Sequence, residues 1–435
     1  MAVACSLLAA APVGAQGTRR LAAAAGEPRR PAAGAEEARR LNDAAARLTA
    51  AGRYEDALPL LDRALGLTPG DAVIRRNLVT LRTVLGHRAL ARGAVEAARR
   101  EYQAALDLAP DEPAALLGLG DVELRRREAG AALEAYRRAL AVQPGEADTY
   151  LRLGEAQYQL GDLAAAEAAW EQGLRLSPEH AGLRRRLERA RAEGRVEGPY
   201  QARLSQHFQL RFEGGRNEDA GREVLGILEA AYRDIGYWLG YYPPTLILVT
   251  LYSQEDFQAI MNAPHWTGAT YSNFDGRIRV AVRGAAPGDP ELRQFLYHEY
   301  AHAVIYGLTR GNIPTWLNEG LAVKAEGPVG PDPAAGRRQE AFLSGARAAA
   351  RQGGVIPLGR LSESFQGMSS TRTVAMAYAQ SYAAVEFLIS RYGAGTVTRL
   401  LRRLGEGAPF PAAVAETLGS PLGQVEEAWH AWLQQ

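Results

Sequence analysis

Four prolines set the plan of the N-terminal half. Pro69, Pro110, Pro144 and Pro178 follow one another at intervals of 41, 34 and 34 residues. Twelve positions before each stands a small residue, Ala57, Ala98, Ala132 and Ala166, and eight before each stands Leu61, Tyr102, Tyr136 or Trp170. Leu-Gly pairs at Leu85-Gly86, Leu119-Gly120 and Leu153-Gly154 open the later units. Such a pattern has a physical cause. Alanine and glycine sit where two antiparallel helices approach closely, large side chains fill the gap to the next hairpin, and proline ends the second helix.

Paired helices repeating every 34 residues resemble a tetratricopeptide (TPR) array. The array spans residues 38–180, and "HAGLRRRLERARAEG" (180–194) reads as a polar capping helix, so that repeats and cap fill 38–197. The 41-residue interval is one period plus seven, about two extra helical turns, placed near "DAVIRRNLVTLRTVLGHRALARG". The resemblance implies an all-α solenoid and a protein partner held by it. The residues themselves leave a mere spacer or dimerisation role open.

Residues 1–36 read as a leader and linker. "MAVACSLLAAAPVGAQG" has an apolar run and a small-residue site ending at Ala15, like a secretory signal, although it lacks a basic start. Export to a bacterial periplasm or cell envelope is expected, with a disordered Ala-rich leader on a cytoplasmic protein as the alternative, and "AVAC" makes Cys5 a candidate for a lipid anchor. Cys5 is the one cysteine, so an internal disulfide and a cysteine-based zinc finger are excluded. Beyond the start, no run is long and apolar enough for a transmembrane span. Fifty basic against forty-nine acidic residues leave a net charge of +1, which argues against nucleic acid as a partner.

After Gly198 the pattern changes. "ARLSQHFQLRFEG" (202–214) alternates like a strand, 219–240 is helical, and "TLILVTLY" (245–252) and "RIRVAVRG" (277–284) read as strands. "GDPELRQFLYHEYAHAVIYGL" is a helix with Asp289 as N-cap and Pro290 in its first turn. Strands, an active-site helix and a helical tail make residues 200–435 an α+β domain.

In "QFLYHEYAHAVIYG" His298 and His302 stand four apart, so both imidazoles project from one helix face and can converge on one zinc ion. Glu299 is turned about 100° away, out of the ligand set but within reach of water at the ion. A catalytic zinc takes three protein ligands, and with no cysteine nearby the third should be His, Asp or Glu. Glu319, in "IPTWLNEGLAVKAEG" (313–327), fits that place. Glu326, seven residues on, lies on the same face and suits a carboxylate that accepts the free N–H of a ligating histidine, or a solvated surface charge.

H-E-Y-A-H followed by W-L-N-E-G-L-A resembles the gluzincin metallopeptidases, and the union with TPR repeats is similar to bacterial peptidase MA-like proteins. The resemblance implies a zincin-like fold and a hydrolase acting on peptide or protein substrates. It implies His298, His302 and Glu319 as zinc ligands, Glu299 as general base, and a downstream tyrosine steadying the oxyanion. "AYAQSYAAVEFLI" (377–389) offers Tyr378 for that role, with Tyr382 one turn later; both also suit simple packing of a helix over 374–392. The G-x-M-E-N stretch of aminopeptidases is missing before the zinc helix, which weakens an exopeptidase reading. An endopeptidase that pairs substrate with an exposed edge strand at 277–283 is the expectation. The alternative is a TPR adaptor whose peptidase-like domain binds zinc without turnover. No role falls to His87, His180, His430, His207 (within a strand) or His265 (in a glycine-rich loop).

Overall fold

The computed structural model describes residues 33–215, 218–261, 269–282, 290–327, 333–362, 365 and 370–435. The leader with Cys5 and Ala15, His265 and the proposed N-cap Asp289 lie outside the described residues.

Four helical hairpins come first: α1 (Ala33–Ala50) with α2 (Tyr54–Leu67), α3 (Ala72–Ala91) with α4 (Val95–Leu108), α5 (Pro113–Arg125) with α6 (Ala129–Val142), and α7 (Ala147–Gln159) with α8 (Leu163–Leu176). Helices α2, α4, α6 and α8 each stop two residues before one of the four prolines. The seven extra residues lie within α3, which has 20 residues against 13 in α5 and in α7. The repeated small residues work as the periodicity implies. Ala57, Ala98, Ala132 and Ala166 are fully buried, and a Cβ added at Gly154 would stand 2.3 Å from the Trp170 indole. The same conflict arises with Tyr136 at Gly120 and with Tyr102 at Gly86 and Gly118, so each aromatic ring fills the space that a side chain would need.

Helix α9 (Ala181–Glu197) follows. It corrects the polar-cap reading. Leu183, Leu187 and Ala190 pack on the last repeat, but Glu193 and Glu197 are fully buried beneath the domain that follows. Their carboxylates are held by arginines: Glu193 by Arg189 at 3.0 Å and Arg279 at 3.3 Å, Glu197 by Arg211 at 3.1 Å. The Tyr158 and Tyr252 hydroxyls donate to Glu193 and Glu197 respectively. A run rich in Arg and Glu is here an ionic joint, not a solvated cap.

The second domain opens with a hairpin, β1 (Gln201–Leu204) and β2 (Phe208–Phe212), then α10 (Glu218–Leu239), β3 (Ile247–Ser253), α11 (Gln254–Met261), β4 (Ala269–Tyr271) and β5 (Ile278–Val282). The sheet order is β1-β2-β3-β5-β4, with β2, β3 and β5 parallel and β1 and β4 antiparallel to their neighbours. The strand expected at the edge over 277–283 is β5, which lies inside the sheet between β3 and β4; β4 is the edge on that side. Arg277 and Arg279 are both buried in the joint with α9 and the repeats. His207, read as a strand residue, lies in the β1–β2 turn, where it contacts Glu229 at 2.7 Å and stacks on Tyr232.

The remaining helices are α12 (Pro290–Thr309), α13 (Thr315–Ala325), α14 (Pro333–Arg351), α15 (Leu358–Leu361), α16 (Thr371–Tyr392), α17 (Ala394–Gly405), α18 (Phe410–Leu418) and α19 (Leu422–Leu433). One apolar core joins them to the sheet, running from Phe208, Val249 and Val280 through Leu296, Tyr300 and Val304 to Leu317, Leu321, Val385 and Leu400. The fold is an all-α repeat region followed by an α+β domain. Among the described residues no helix is long and apolar enough to cross a membrane.

Candidate metal centre

Helix α12 carries His298, Glu299 and His302, and α13 carries Asn318 and Glu319. What brings the second set to the first is a glycine. A Cβ on Gly320 would lie 2.3 Å from the Ser381 carbonyl oxygen of α16, so only glycine lets α13 settle this deeply between α12 and α16.

Among the described residues, His298, His302 and Glu319 form the one cluster of potential metal donors, with ligating atoms all within 4.8 Å of one another. The Nε2 atoms of His298 and His302 lie 3.5 and 3.7 Å from Oε2 of Glu319. Good N–H···O bonds are shorter. Three ligands about 2.1 Å from a tetrahedral zinc would stand ~3.4 Å apart, and the observed separations are close to that. The opposite ring nitrogens are engaged. Nδ1 of His298 lies 2.7 Å from Oε1 of Glu326, and Nδ1 of His302 lies 3.1 Å from Oδ1 of Asn318. Each acceptor favours a proton on Nδ1 and turns Nε2 toward Glu319, the orientation that a metal requires. Arg338, on α14, reaches the other oxygen of Glu326 at 2.9 Å. The donor set thus fits a divalent ion such as zinc.

Burial would lower the pKa of His298, but contacts with Glu319 and Glu326 and the charge of Glu299 hold it at about 10, so Nε2 carries a proton that a metal would displace on binding. Burial would likewise raise that of Glu319, but His302, His298 and Tyr378 keep it below the ordinary value. Carboxylates outnumber cations at the centre, an excess that one divalent ion would neutralise.

Tyr378, on α16, hydrogen-bonds Glu319, and burial with the charges of Glu319 and Glu299 drives its own pKa up, so its hydroxyl stays protonated and donates. Tyr382 turns elsewhere, to Glu386, which also pairs with Lys324 at 2.8 Å. Glu299 is nearly buried, and its Oε2 accepts the backbone N–H of Tyr271, on β4. His87 packs edge-on against Tyr102 in the repeats, and His180 caps α9 by accepting from Leu183 N.

Three participants were missed in the sequence. Asn318 had a signal, since it immediately precedes Glu319 on a helix. Arg338 had none, because α14 meets Glu326 only through tertiary packing. The Tyr271 contact is made by the main chain and leaves no trace in residue type.

Residues 241–435 match the family model of the Peptidase MA superfamily, and residues 83–147 and 120–181 match that of the tetratricopeptide repeat. Among solved structures, the crystal structure of MamA is similar at 22% identity with a TM-score of 0.30, over 35% of this chain and 84% of that one. MamA from Desulfovibrio magneticus RS-1 (residues 41 to the end) gives 21% and 0.31, over 37% and 86%. YrrB, described as a TPR protein with an unusual peptide-binding site, gives 19% and 0.31, over 37% and 79%. No curated protein matches the chain. Over residues 83–181 and 241–435, the chain thus joins tetratricopeptide repeats to a Peptidase MA superfamily domain.

Proposed function

We propose that the protein is a zinc-dependent peptide hydrolase of gluzincin type. The observation that carries this reading is the pair of imidazoles whose Nδ1 atoms are engaged and whose Nε2 atoms share the Glu319 carboxylate at 3.5 and 3.7 Å. His298, His302 and Glu319 would hold zinc, which when bound supplies Lewis acidity, polarising the scissile carbonyl and acidifying water.

The chain's own residues do the rest. Glu299 takes a proton from the attacking water as the carbon–oxygen bond forms, then passes it to the amine as the carbon–nitrogen bond breaks. With Oε2 fixed by the Tyr271 N–H, Oε1 remains for the water. Tyr378 keeps its proton and donates to the developing oxyanion. Because Glu299 takes the Tyr271 N–H, the outer edge of β4 borders the centre, and an extended peptide added there would present an internal bond, as an endopeptidase requires.

The scaffold reading, a domain that binds zinc without turnover, draws support from that same Tyr271 contact on the base. The experiment that separates them measures metal content and cleavage of a mixed peptide library, with and without chelator. Glu299→Gln should keep zinc and lose cleavage by about 10²–10⁴-fold; wild-type cleavage in that variant would remove the mechanism. We also propose export to the cell envelope, on the leader alone, and N-terminal sequencing of protein isolated from a bacterial periplasm would test it.

A further inference from the structure

The turns inside the repeats depart from their own pattern at one place. Gly52, Gly93 and Gly161 occupy the α1–α2, α3–α4 and α7–α8 turns, with φ of 74°, 77° and 83°. The matching position between α5 and α6 is Arg127, with φ of 65°. A residue bearing Cβ in this left-handed region costs roughly 1–2 kcal/mol that glycine does not. Strain at a position where the other repeats use glycine directs attention to the side chain.

That side chain crosses into the catalytic domain. Its Nη1 donates to the Phe274 carbonyl at 3.0 Å and Nη2 to that of Asn273 at 2.6 Å, both in the β4–β5 turn. It hydrogen-bonds the Tyr271 side chain at the end of β4. Its guanidinium lies 4.4 Å over the ring of Tyr306, one helical turn beyond His302 on α12. It also lies so near Gly276 that a Cβ there would stand 3.2 Å away. Gln159 adds a bond to the Phe274 carbonyl at 2.8 Å, and Arg186 covers the Phe274 ring. A single planar fork therefore grips both elements that meet at the candidate base: the edge strand, whose Tyr271 N–H holds Glu299, and the helix that bears Glu299.

We propose that Arg127 is a positioning residue for the peptide-cleaving site, supplied by the repeat array: it fixes β4 against α12 so that a peptide laid along β4 meets Glu299 in register. This rests on the hydrolase reading above. The repeats then act within the chain as part of the site's frame, in addition to any partner they hold. Lysine could supply the charge but not the fork, and a misplacement of about 1 Å between substrate and base costs about 10²-fold in rate.

The test uses full-length protein carrying Arg127→Gly, which restores the glycine of the other turns and relieves the strain, and Arg127→Lys. Amide hydrogen exchange over 269–276 should accelerate about tenfold or more in Arg127→Gly, with zinc per chain unchanged. On an extended peptide kcat should fall about 10–100-fold, while a single-residue chromogenic amide, too short to pair with β4, changes little. Millimolar guanidinium should partly restore the extended-peptide rate in Arg127→Gly, and Arg127→Lys should remain impaired. Unchanged exchange, or equal losses on long and short substrates, would overturn the proposal. A wild-type chain that binds zinc and cleaves nothing would remove the hydrolase reading beneath it, whereas active wild type with an equally active Arg127→Gly variant would remove only the role of Arg127.

Discussion

His298 and Glu326 are joined at 2.7 Å through the ring nitrogen that points away from the candidate metal position, and Arg338 holds the other oxygen of Glu326. Glu326 is buried, with only 7% of its surface exposed, so it is not a solvated charge. The carboxylate orients the imidazole and would raise its basicity toward a metal. Glu326→Ala is expected to weaken zinc binding about 10–100-fold. Competition against a chromogenic chelator measures this, and unchanged affinity would deny the carboxylate any part in the centre.

Tyr378→Phe should leave zinc stoichiometry intact and lower kcat about 10²–10³-fold, the usual effect of removing one oxyanion donor. Tyr382→Phe is the control, because its hydroxyl meets Glu386, and it should retain most of the rate. Steady-state kinetics of the two variants side by side decide the assignment; a reversed order would transfer the role to Tyr382.

Gly320→Ala should be more damaging than its size suggests. Its added methyl would meet the Ser381 carbonyl at 2.3 Å and the Val385 side chain at 2.7 Å. Overpacking of this kind costs roughly 1–3 kcal/mol, and the displaced helix is the one that carries Glu319. A lowered melting temperature together with weaker zinc binding is expected; a fully stable variant with native zinc affinity would show that α13 has slack.

The joint between the repeats and the Peptidase MA superfamily domain should be acid-sensitive. Burial would raise the pKa of Asp275, but the charge and hydrogen bonds of Arg279, with Arg277 nearby, hold it well below the ordinary carboxylate range. A carboxylate whose folded pKa is depressed stabilises the fold above its unfolded pKa, about 3.9, and that contribution fades as the pH falls below it. Denaturant midpoints should therefore drop more steeply below about pH 4 in wild type than in Asp275→Asn. At neutral pH the same substitution should cost about 3 kcal/mol or more, because it uncouples a buried pair. Parallel acid profiles for the two proteins would contradict this.

Much of the architecture was legible because it is written in periodicity. The proline interval set the hairpins, and the two short motifs carried the three donors that α12 and α13 bring together. What escaped reading depends on partners distant in sequence. β4 has three residues and no alternation to detect, so the edge was assigned to β5. Nor does residue type show that Arg277 and Arg279 of that segment are buried against Tyr158, Asp275 and Glu193. Glu193 and Glu197 looked like a soluble cap for the same reason: a sequence does not distinguish a carboxylate in water from one enclosed by arginines. Arg127 did leave a mark, as the one turn position of four without glycine, but its meaning depends on a strand some 145 residues away.

The ionic joint at α9 also limits how this protein can be divided. Severing the chain near Gly198 would part Glu197 from Arg211 and Tyr252 and Glu193 from Arg279, beside apolar surface shaped for a missing neighbour. Each half would begin its separate existence with an open wound of unmatched charge, so a fragment that misbehaves in isolation would reveal its lost counterpart before it revealed anything about its own task.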